Sequence, residues 1–277
     1  MPSVDANKAG WDAAYDWTQR GDEWSAEWGG VDMQWYGAVL PRIHVFVPTG
    51  VVLEIAPGYG RWTDYLRRLS ERMVLVDLAE VCIESCKERF KQETHIEYHV
   101  NDGKSLAMVE DGSIDFVYSF DSLVHVEEDV IEAYLSQIAS KLKPDGVGMI
   151  HHSNLGECAR YFDWVREIPR PLRHFLRGVG AIEQHWWRAF SMTAGKFERF
   201  ADAAGLQCIS QEIINWNTRR LIDCISIFTR QGSRWARPNR VIRNKRFVAE
   251  AKQLAELSAL YGVASLSSNG QTKASAS

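Results

Sequence analysis

Short apolar runs bounded by turn residues recur through the first half of this chain and alternate with segments of helical period. The run at 51–55 is continuously apolar except for one acid near its end, which indicates a buried parallel strand rather than a half-exposed one. A glycine-containing loop then leads into a predicted helix at 63–70. Further runs predict strands at 72–76, 95–100, 114–120, 147–150, 207–216 and 223–229. Strands that alternate with helices in this way are typical of an α/β sheet.

Four segments flank or interrupt this alternation, which occupies a predicted core domain at 49–230. Residues 1–48 are rich in Trp, Tyr and Gly and precede the first strand. Residues 155–190 leave the regular pattern and interleave aromatic residues with arginines. A basic run followed by an apolar helical period predicts a C-terminal helix at 231–263. The small and polar residues at 264–277 are typical of a disordered tail.

Composition narrows the class of protein further. The chain has 277 residues, of which 45% are hydrophobic, so it can bury one core of ordinary size with additions. Its net charge of −4 gives no field that would attract nucleic acid. The five cysteines are odd in number and lie in apolar contexts, which favours buried thiols over disulfides. No apolar run reaches about 18 residues, and the polar start lacks a signal-peptide core. We therefore expect a cytoplasmic protein that binds neither nucleic acid nor a membrane.

A carboxylate and two glycines after the first predicted strand mark a candidate ligand loop. Glu54 ends the strand, and Gly58 and Gly60 would let backbone N–H groups approach a ligand closely. A dinucleotide-binding loop would need a third glycine at the position of Thr63, and the negative charge of Glu54 would be unfavourable beside a pyrophosphate. The acid with spaced glycines instead resembles the loop that holds S-adenosylmethionine in class I methyltransferases, with Ala56 in place of the first glycine.

Later motifs follow in the order and spacing of the same family. Asp77 and Leu78 end the second predicted strand. Asp77 follows Gly58 at close to the interval of about 20 residues after which an acid binds a ribose in such folds. The alternative role for Asp77 is that of a helix N-cap. A polar turn at 101–103 follows the third strand, and a break at 143–146 that contains Pro144 and Gly146 closes the helix after the fourth. The chain is similar to the class I S-adenosylmethionine-dependent methyltransferases over residues 50–230.

The resemblance implies both a fold and a set of cofactor contacts. The fold would be a Rossmann-like sheet of seven strands that ends in an antiparallel pair. Residues 1–48 would form a helical lid, and residues 155–190 would form a substrate cap inserted after the fifth strand. The implied contacts are Glu54, Ala56, Gly58 and Gly60 with the methionine part, Asp77 and Leu78 with the ribose, Asp102 and Gly103 with the adenine, and Ser119 and Phe120 beside the sulfonium.

Aromatic residues crowd the segment before the first strand. They could pack on the edge of the sheet, since aromatic rings bury large areas. They could also close over the adenosyl group or stack on a sugar. Tyr15, Trp24 and Trp28 are the candidates for such contact with the ligand.

Two adjacent histidines at the end of the fifth predicted strand are candidates for the catalytic base. Transfer of a methyl group to an alcohol needs a side chain that removes the hydroxyl proton, and histidine suits this task. Successive strand residues point to opposite faces, so one of the two would face the site. We expect His152 to be the base, with His151 second and Asp121 orienting the base or the acceptor. We interpret His125 as the structural start of the next helix.

A divalent metal is a further possibility. Asp121, His152 and Asn154 are hard or borderline ligands that could hold Mg²⁺ against a sugar diol. No pair of consecutive acids marks such a site, so the metal requirement is left open.

The acceptor is suggested by a second resemblance. The run at 150–154, the loop at 54–58 and the tryptophan-containing leader at 21–25 resemble a group of bacterial sugar O-methyltransferases that includes enzymes acting on glycans. This implies a sugar or oligosaccharide acceptor. The alternatives are a small-molecule O- or N-methyltransferase of secondary metabolism and a non-catalytic cofactor-binding module, associated with RNA through the basic tail. The C-terminal helix could also pack on a second subunit to form a homodimer.

Overall fold

The computed structural model describes residues 3–183, 187–216 and 218–261. Within these ranges a single sheet of eight strands forms the centre of the molecule, with helices on both faces. The strands are β1 Thr49–Ile55, β2 Ser70–Asp77, β3 Ile96–Val100, β4 Ile114–Ser119, β5 Leu142–Ser153, β6 Leu206–Ile214, β7 Asp223–Arg230 and β8 Arg240–Asn244. The tail predicted to be disordered, 264–277, lies outside the described residues.

The sheet has the strand order β3-β2-β1-β4-β5-β7-β6-β8. Strands β1 to β5 are parallel, and β7 runs antiparallel to both β5 and β6. The predicted α/β sheet and its antiparallel pair are therefore confirmed, but the strand number of seven is wrong. The eighth strand, Arg240–Asn244, pairs parallel with β6 inside the region predicted to be helical. Its apolar residues Val241 and Ile242 are adjacent and exposed, so no alternating pattern marks it in the sequence.

Ten α-helices lie within the described ranges. They are α1 Val4–Ala9, α2 Val31–Gln34, α3 Leu40–Ile43, α4 Thr63–Leu66, α5 Glu80–Arg89, α6 Glu128–Lys141, α7 Ala159–Glu167, α8 Arg170–Gly178, α9 Ala194–Ala203 and α10 Phe247–Tyr261. Short 3₁₀ and π turns connect the first three. The C-terminal helix thus begins at Phe247 rather than at residue 231. None of the helices in the described part of the chain is long and apolar enough to span a bilayer.

Helix α4 and strand β5, which lie near the site, have boundaries that differ from the prediction. Helix α4 is half the predicted length because β2 already begins at Ser70. Strand β5 includes the predicted break at 143–146, which pairs irregularly with the start of β4. At its other end β5 continues to Ser153, so His151 and His152 both lie inside the strand.

Alternate residues of the central strands supply two apolar layers. Val52 and Phe116 pack on the face covered by the N-terminal helices, α5 and α10. Leu53 and Val117 pack on the opposite face under α6 and α9. The N-terminal segment is therefore part of the core through residues such as the fully buried Trp35. All five cysteines are free thiols and four of them are buried, as the sequence predicted.

Candidate functional site

A cavity opens at the carboxyl ends of β1, β2 and β4, where the strand order reverses. Ligands of open parallel sheets bind at this switch point. The cavity has an empty volume of about 890 Å³, which includes open solvent at its mouth. Its walls come from the N-terminal segment, the glycine loop, the end of β2 and the loop after β4.

The glycine loop adopts the backbone conformation that its sequence suggests. Ala56 and Gly58 both line the cavity and have φ values of +57° and +58°. For Ala56 this left-handed conformation costs about 1–2 kcal/mol, and the Ser122 hydroxyl donates a hydrogen bond to its carbonyl (2.9 Å). Gly60 does not line the cavity; a Cβ there would lie 2.5 Å from the Phe90 ring. Gly60 therefore permits close packing rather than ligand contact.

Glu54 lies beneath the loop and is only 1% exposed. Its Oε2 accepts a hydrogen bond from the Thr63 hydroxyl at 2.6 Å. Burial raises the pKa of Glu54 to about 8, so the ligand-free protein holds it mainly protonated at neutral pH. The side chain does not line the cavity. The expectation of direct contact with the methionine part is thus replaced by a supporting position under the loop.

Asp77 and Leu78 line the cavity at the end of β2, where the ribose contact was predicted. The Asp77 carboxylate accepts hydrogen bonds from the backbone N–H groups of Gly58 (3.1 Å) and Ala79 (2.9 Å). Asp77 therefore ties the glycine loop to the next helix and also faces the cavity. Burial raises its pKa to about 6 despite these donors.

Of the two predicted adenine contacts in the turn after β3, Gly103 lines the cavity and Asp102 does not. Gly103 lines the cavity, and its N–H donates to Asn101 Oδ1 at 2.9 Å. The Asp102 carboxylate instead accepts from the backbone N–H groups of Lys104 and Ser105, which lower its pKa. It does not line the cavity because its own turn uses it. Val4 and Tyr134 provide the neighbouring wall.

The two residues predicted to flank the sulfonium, Ser119 and Phe120, do not line the cavity. Ser119 is fully buried in β4, and Phe120 is 3% exposed. The Phe120 ring packs on Trp62 and on His151, with its centroid 4.8 Å from the imidazole. The cavity is lined instead by the next two residues, Asp121 and Ser122.

Three tryptophans of the N-terminal segment line the cavity: Trp11, Trp17 and Trp24. Of the predicted aromatic contacts only Trp24 is among them. Tyr15 packs between these rings without lining the cavity, and its hydroxyl donates to Glu23. Trp28 is buried elsewhere, against Trp216 and Phe247 of α10. Sequence alone could not separate these rings, because they share one short segment and one composition.

The two candidate histidines face opposite sides of the sheet. His152 stacks on Phe197 of α9 at 4.4 Å, on the side away from Asp121. Its Nδ1 donates to the Ser153 carbonyl and its Nε2 accepts from the Ser226 hydroxyl at 2.8 Å. Burial lowers its pKa to about 4. The position argues against His152 as the base, because both ring nitrogens are engaged inside the protein.

His151 faces the site but is fully buried behind Asp121. Its Nδ1 accepts a hydrogen bond from the Asp121 backbone N–H (3.1 Å), and its Nε2 lies 3.5 Å from Asp223 Oδ2. Asp121 has a left-handed φ of +64°, which this hydrogen bond helps to hold. His151 therefore positions Asp121, and neither of its nitrogens reaches the cavity.

Asp121 belongs to a buried network of charges that the sequence analysis did not identify. Its carboxylate pairs with Arg61 at 3.1 Å and lies 3.9 Å from Arg188. Arg188 in turn donates to both carboxylate oxygens of Asp223, at 3.0 and 3.2 Å. Burial alone would raise the pKa of Asp223, but Arg188 and His151 lower it to about 2. One signal was available: Asp223 directly precedes a mainly apolar stretch at 224–228, where an acid needs a partner.

His125 is the histidine that lines the cavity, among the residues that the structure describes. It ends a 3₁₀ turn after β4 rather than beginning helix α6. Its Nδ1 donates a hydrogen bond to the carbonyl of Trp187, which leaves the lone pair on Nε2. Burial and the charge of Arg188 lower its pKa to about 4, so the ring is neutral at pH 7. The interpretation of His125 as purely structural therefore does not fit its position.

The three suggested magnesium ligands do not come together. Asn154 is fully buried, where its side chain donates to the Leu221 carbonyl and accepts from the Ala194 N–H. His152 points away from Asp121, as described above. Across the described ranges no group of three or more His, Cys, Asp or Glu side chains is arranged to hold a metal ion.

Comparisons with known proteins agree with this geometry. Residues 52–146 match the family model of a methyltransferase domain. The ubiquinone biosynthesis O-methyltransferase of Xanthomonas campestris pv. campestris is 28% identical over 150 residues, which are 52% of this chain and 62% of the relative. The matched part of the chain thus spans less than two thirds of that relative's length.

Two solved structures show the fold. An S-adenosylmethionine-dependent methyltransferase from Methanosarcina mazei matches with a TM-score of 0.53 and 14% identity over 69% of this chain and 97% of its own. The magnesium protoporphyrin IX methyltransferase of Synechocystis PCC 6803 matches with a TM-score of 0.50 and 15% identity over 82% and 93%. The family model thus indicates a methyltransferase domain over residues 52–146, and both solved structures share the fold of this chain.

Proposed function

We propose that this protein transfers a methyl group from S-adenosylmethionine to a hydroxyl group of its acceptor. The observation that carries the proposal is the cavity at the switch point, where the backbone of the glycine loop and the Asp77 carboxylate face the same space. The curated relatives that match the chain are named O-methyltransferases, which favours oxygen as the atom that receives the methyl group.

The residues of the cavity fit the proposed cofactor. Asp77 is a buried carboxylate at the cavity wall, and each of its oxygens, which accepts one backbone N–H bond, can accept a further hydrogen bond from a ribose hydroxyl. Gly103 and Val4 would bound the adenine, while Ala56 and Gly58 would bring backbone groups close to the methionine part. When bound, S-adenosylmethionine supplies a methyl group on a positively charged sulfur, which is open to attack by an oxygen nucleophile.

We propose His125, rather than His152, as the group that takes the acceptor's proton. The Trp187 carbonyl holds Nδ1–H, so the lone pair of the neutral ring is on Nε2. A pKa of about 4 makes His125 a weak base. It suffices late in the reaction, because an oxygen that has begun to bond a methyl group holds its proton much less tightly. Asp121, held by Arg61 and His151, would accept a hydrogen bond from the acceptor or orient it.

For the acceptor we propose a sugar or oligosaccharide. The tryptophans around the cavity offer flat apolar surfaces for sugar faces, and Arg20, Arg61 and Asp121 offer polar groups for hydroxyls. The sequence resemblance to sugar O-methyltransferases singles out the reducing-end hydroxyl of methylmannose oligosaccharides as one such acceptor. The second candidate is an aromatic hydroxyl, which is favoured by the name of the Xanthomonas relatives.

The test is a transfer assay with labelled S-adenosylmethionine, with and without Mg²⁺, on parallel panels of sugars, phenols and amines. Label in a sugar hydroxyl supports the full proposal, and label in a phenol only would move the acceptor to the second candidate. Label in an amine only would contradict oxygen as the acceptor atom. Tight binding of the cofactor without turnover on any panel would favour the non-catalytic module instead.

A further inference from the structure

Helix α8 is strongly amphipathic. Arg170, Arg173 and Arg177 recur at spacings of three and four residues, which places them on one face of the helix. Leu172, Phe175 and Leu176, with Val179 just past the helix end, recur at the same spacings on the other face. Such a separation of cations and apolar groups is typical of helices that lie at an interface between water and an apolar phase.

The helix is oriented with its apolar face outward. Leu172, Phe175 and Val179 are 49%, 62% and 60% exposed, and no residue of α8 is buried. Arg173 and Leu176 are the half-buried residues of α8, and Arg173 donates a hydrogen bond to the Arg166 carbonyl, whereas Arg170 and Arg177 are exposed. A surface helix of a soluble domain normally buries its apolar stripe in the core. The outward apolar face of α8 therefore lacks the cover that such a stripe needs.

The charge around this face is positive, although the chain as a whole carries a net charge of −4. Residues 160–178 contain five arginines and two acids, Asp163 and Glu167. One of the arginines, Arg166, is paired with Asp163 at 3.2 Å. The remaining arginines give the segment a local positive potential, whereas the rest of the molecule is acidic on balance.

We propose that α8 docks on an anionic lipid surface. Leu172, Phe175 and Val179 would enter the boundary between headgroups and acyl chains, and the long arginine side chains would reach the phosphates beside them. A second copy of the chain is a poorer occupant. A symmetric pair would cover the apolar residues but would bring no counter-charge to the exposed Arg170 and Arg177 of either copy, whereas an anionic surface satisfies the apolar and the cationic groups together. This proposal departs from the expectation of a protein without membrane contact, and it does not depend on the proposed function.

The experiment is co-sedimentation of the full-length protein with lipid vesicles. One set contains phosphatidylcholine alone, and the other contains equal parts of phosphatidylcholine and phosphatidylglycerol. We expect binding to the anionic vesicles that weakens with added salt, and much weaker binding to the neutral ones. The double variant Leu172→Ser/Phe175→Ser should lose at least about tenfold in partition. Arg170→Gln/Arg177→Gln should lose about fivefold per arginine.

The matched control is Leu257→Ser/Leu260→Ser on α10. These leucines are 48% and 70% exposed and lie outside the cationic segment. We expect this variant to bind anionic vesicles like the unaltered protein, and all variants to keep their thermal transition. The proposal is overturned if the unaltered protein does not bind the anionic vesicles, or if the α8 variants bind as well as the control. A concentration-dependent dimer in the absence of lipid, abolished by Leu172→Ser/Phe175→Ser, would overturn it in favour of self-association.

Discussion

The two acids that approach the ligand loop are both buried and both hold protons more tightly than usual, but their positions differ. Asp77 faces the cavity, and its pKa of about 6 leaves it ionised at neutral pH. Glu54 lies under the loop, and its pKa of about 8 leaves it mainly protonated there. The glycine loop is thus supported from below by a neutral side chain, and it borders the cavity beside a charged one.

The raised pKa of Glu54 predicts that stability falls as the pH rises. Between its ordinary value of 4.5 and about 8, the folded ligand-free protein holds a proton on Glu54 that the unfolded chain has lost. Stability therefore decreases with rising pH in this window. His125 and His152 have the opposite effect only below 6.5, where the unfolded chain takes up their protons. We expect the melting temperature of the ligand-free protein to fall from about pH 6.5 to 8.

The variant Glu54→Gln tests the origin of this slope, because Gln has no proton to lose and can still accept from the Thr63 hydroxyl. Its melting temperature should be nearly constant over the same pH range. An unchanged slope in Glu54→Gln would show that another group causes the pH dependence.

His125 and His152 should respond differently to substitution. His125→Gln removes the proposed base at the cavity wall, and we expect kcat to fall by about 10²–10⁴-fold. The affinity for S-adenosylhomocysteine should change little. His152→Gln, the matched control, alters a buried ring that stacks on Phe197 and bonds Ser226. It should cost about 1–3 kcal/mol of stability, with kcat per folded molecule nearly intact. Loss of kcat in His152→Gln but not in His125→Gln would return the base to His152.

At the scale of elements, the N-terminal helices and α10 hold each other in place. The Ser258 hydroxyl of α10 donates to the Gly29 carbonyl, and Leu254 packs beside Gly37. Because the N-terminal segment also supplies three tryptophans to the cavity, this contact links the C-terminal helix to the site.

Substitution of Gly29 tests this contact. A Cβ on Gly29 would lie 2.9 Å from the Ala255 Cα, and the backbone of α10 cannot yield as a flexible side chain can. Gly112→Ala is the control, since Gly112 also has a positive φ but no atom within 4 Å. Both variants bear the left-handed cost of about 1–2 kcal/mol. Gly29→Ala should lose about 1–3 kcal/mol more in chemical denaturation. Equal losses would show that α10 does not pack closely on the N-terminal segment.

Helices and strands could be predicted from the sequence where the pattern of apolar and polar residues within the segment itself marks the element. Strands β1 to β4 stop at turn or acidic residues, and their positions agree with prediction to within about two residues. β8 was not predicted because Val241 and Ile242 are adjacent and exposed between arginines, so that only the pairing with β6 defines this strand.

The sequence predicted the residues of the candidate site whose position along the backbone brings them to the cavity. It did not predict those for which the orientation of the side chain decides whether they reach the cavity. Ala56, Gly58, Asp77 and Gly103 line the cavity because strand ends and tight turns place them there. The choice between neighbouring residues failed, as with Asp102, since a side chain can satisfy its own turn instead of facing a ligand. The pairing of Arg188 with Asp223 joins residues from distant segments, and no spacing in the sequence records it.

On the scale of the whole molecule, one sheet brings the N-terminal segment, the cavity and the segment after α8 together. Trp187 stacks on Trp11 with ring centroids 5.6 Å apart, so the segment after α8 meets the N-terminal segment beside His125. The order of the strands places the glycine loop, Asp77 and Asp121 around one opening. This arrangement agrees with the match of residues 52–146 to a methyltransferase domain.

The most direct test of the account is a calorimetric titration of the purified chain with S-adenosylhomocysteine at several pH values. The account predicts one binding site per chain and an affinity that declines as the pH falls through about 6, because the ribose hydroxyls need the Asp77 carboxylate in its ionised form. Asp77→Asn should bind more weakly and lose this pH dependence. Absence of binding by the folded, unaltered protein at any of these pH values would contradict the assignment of the cavity to this cofactor.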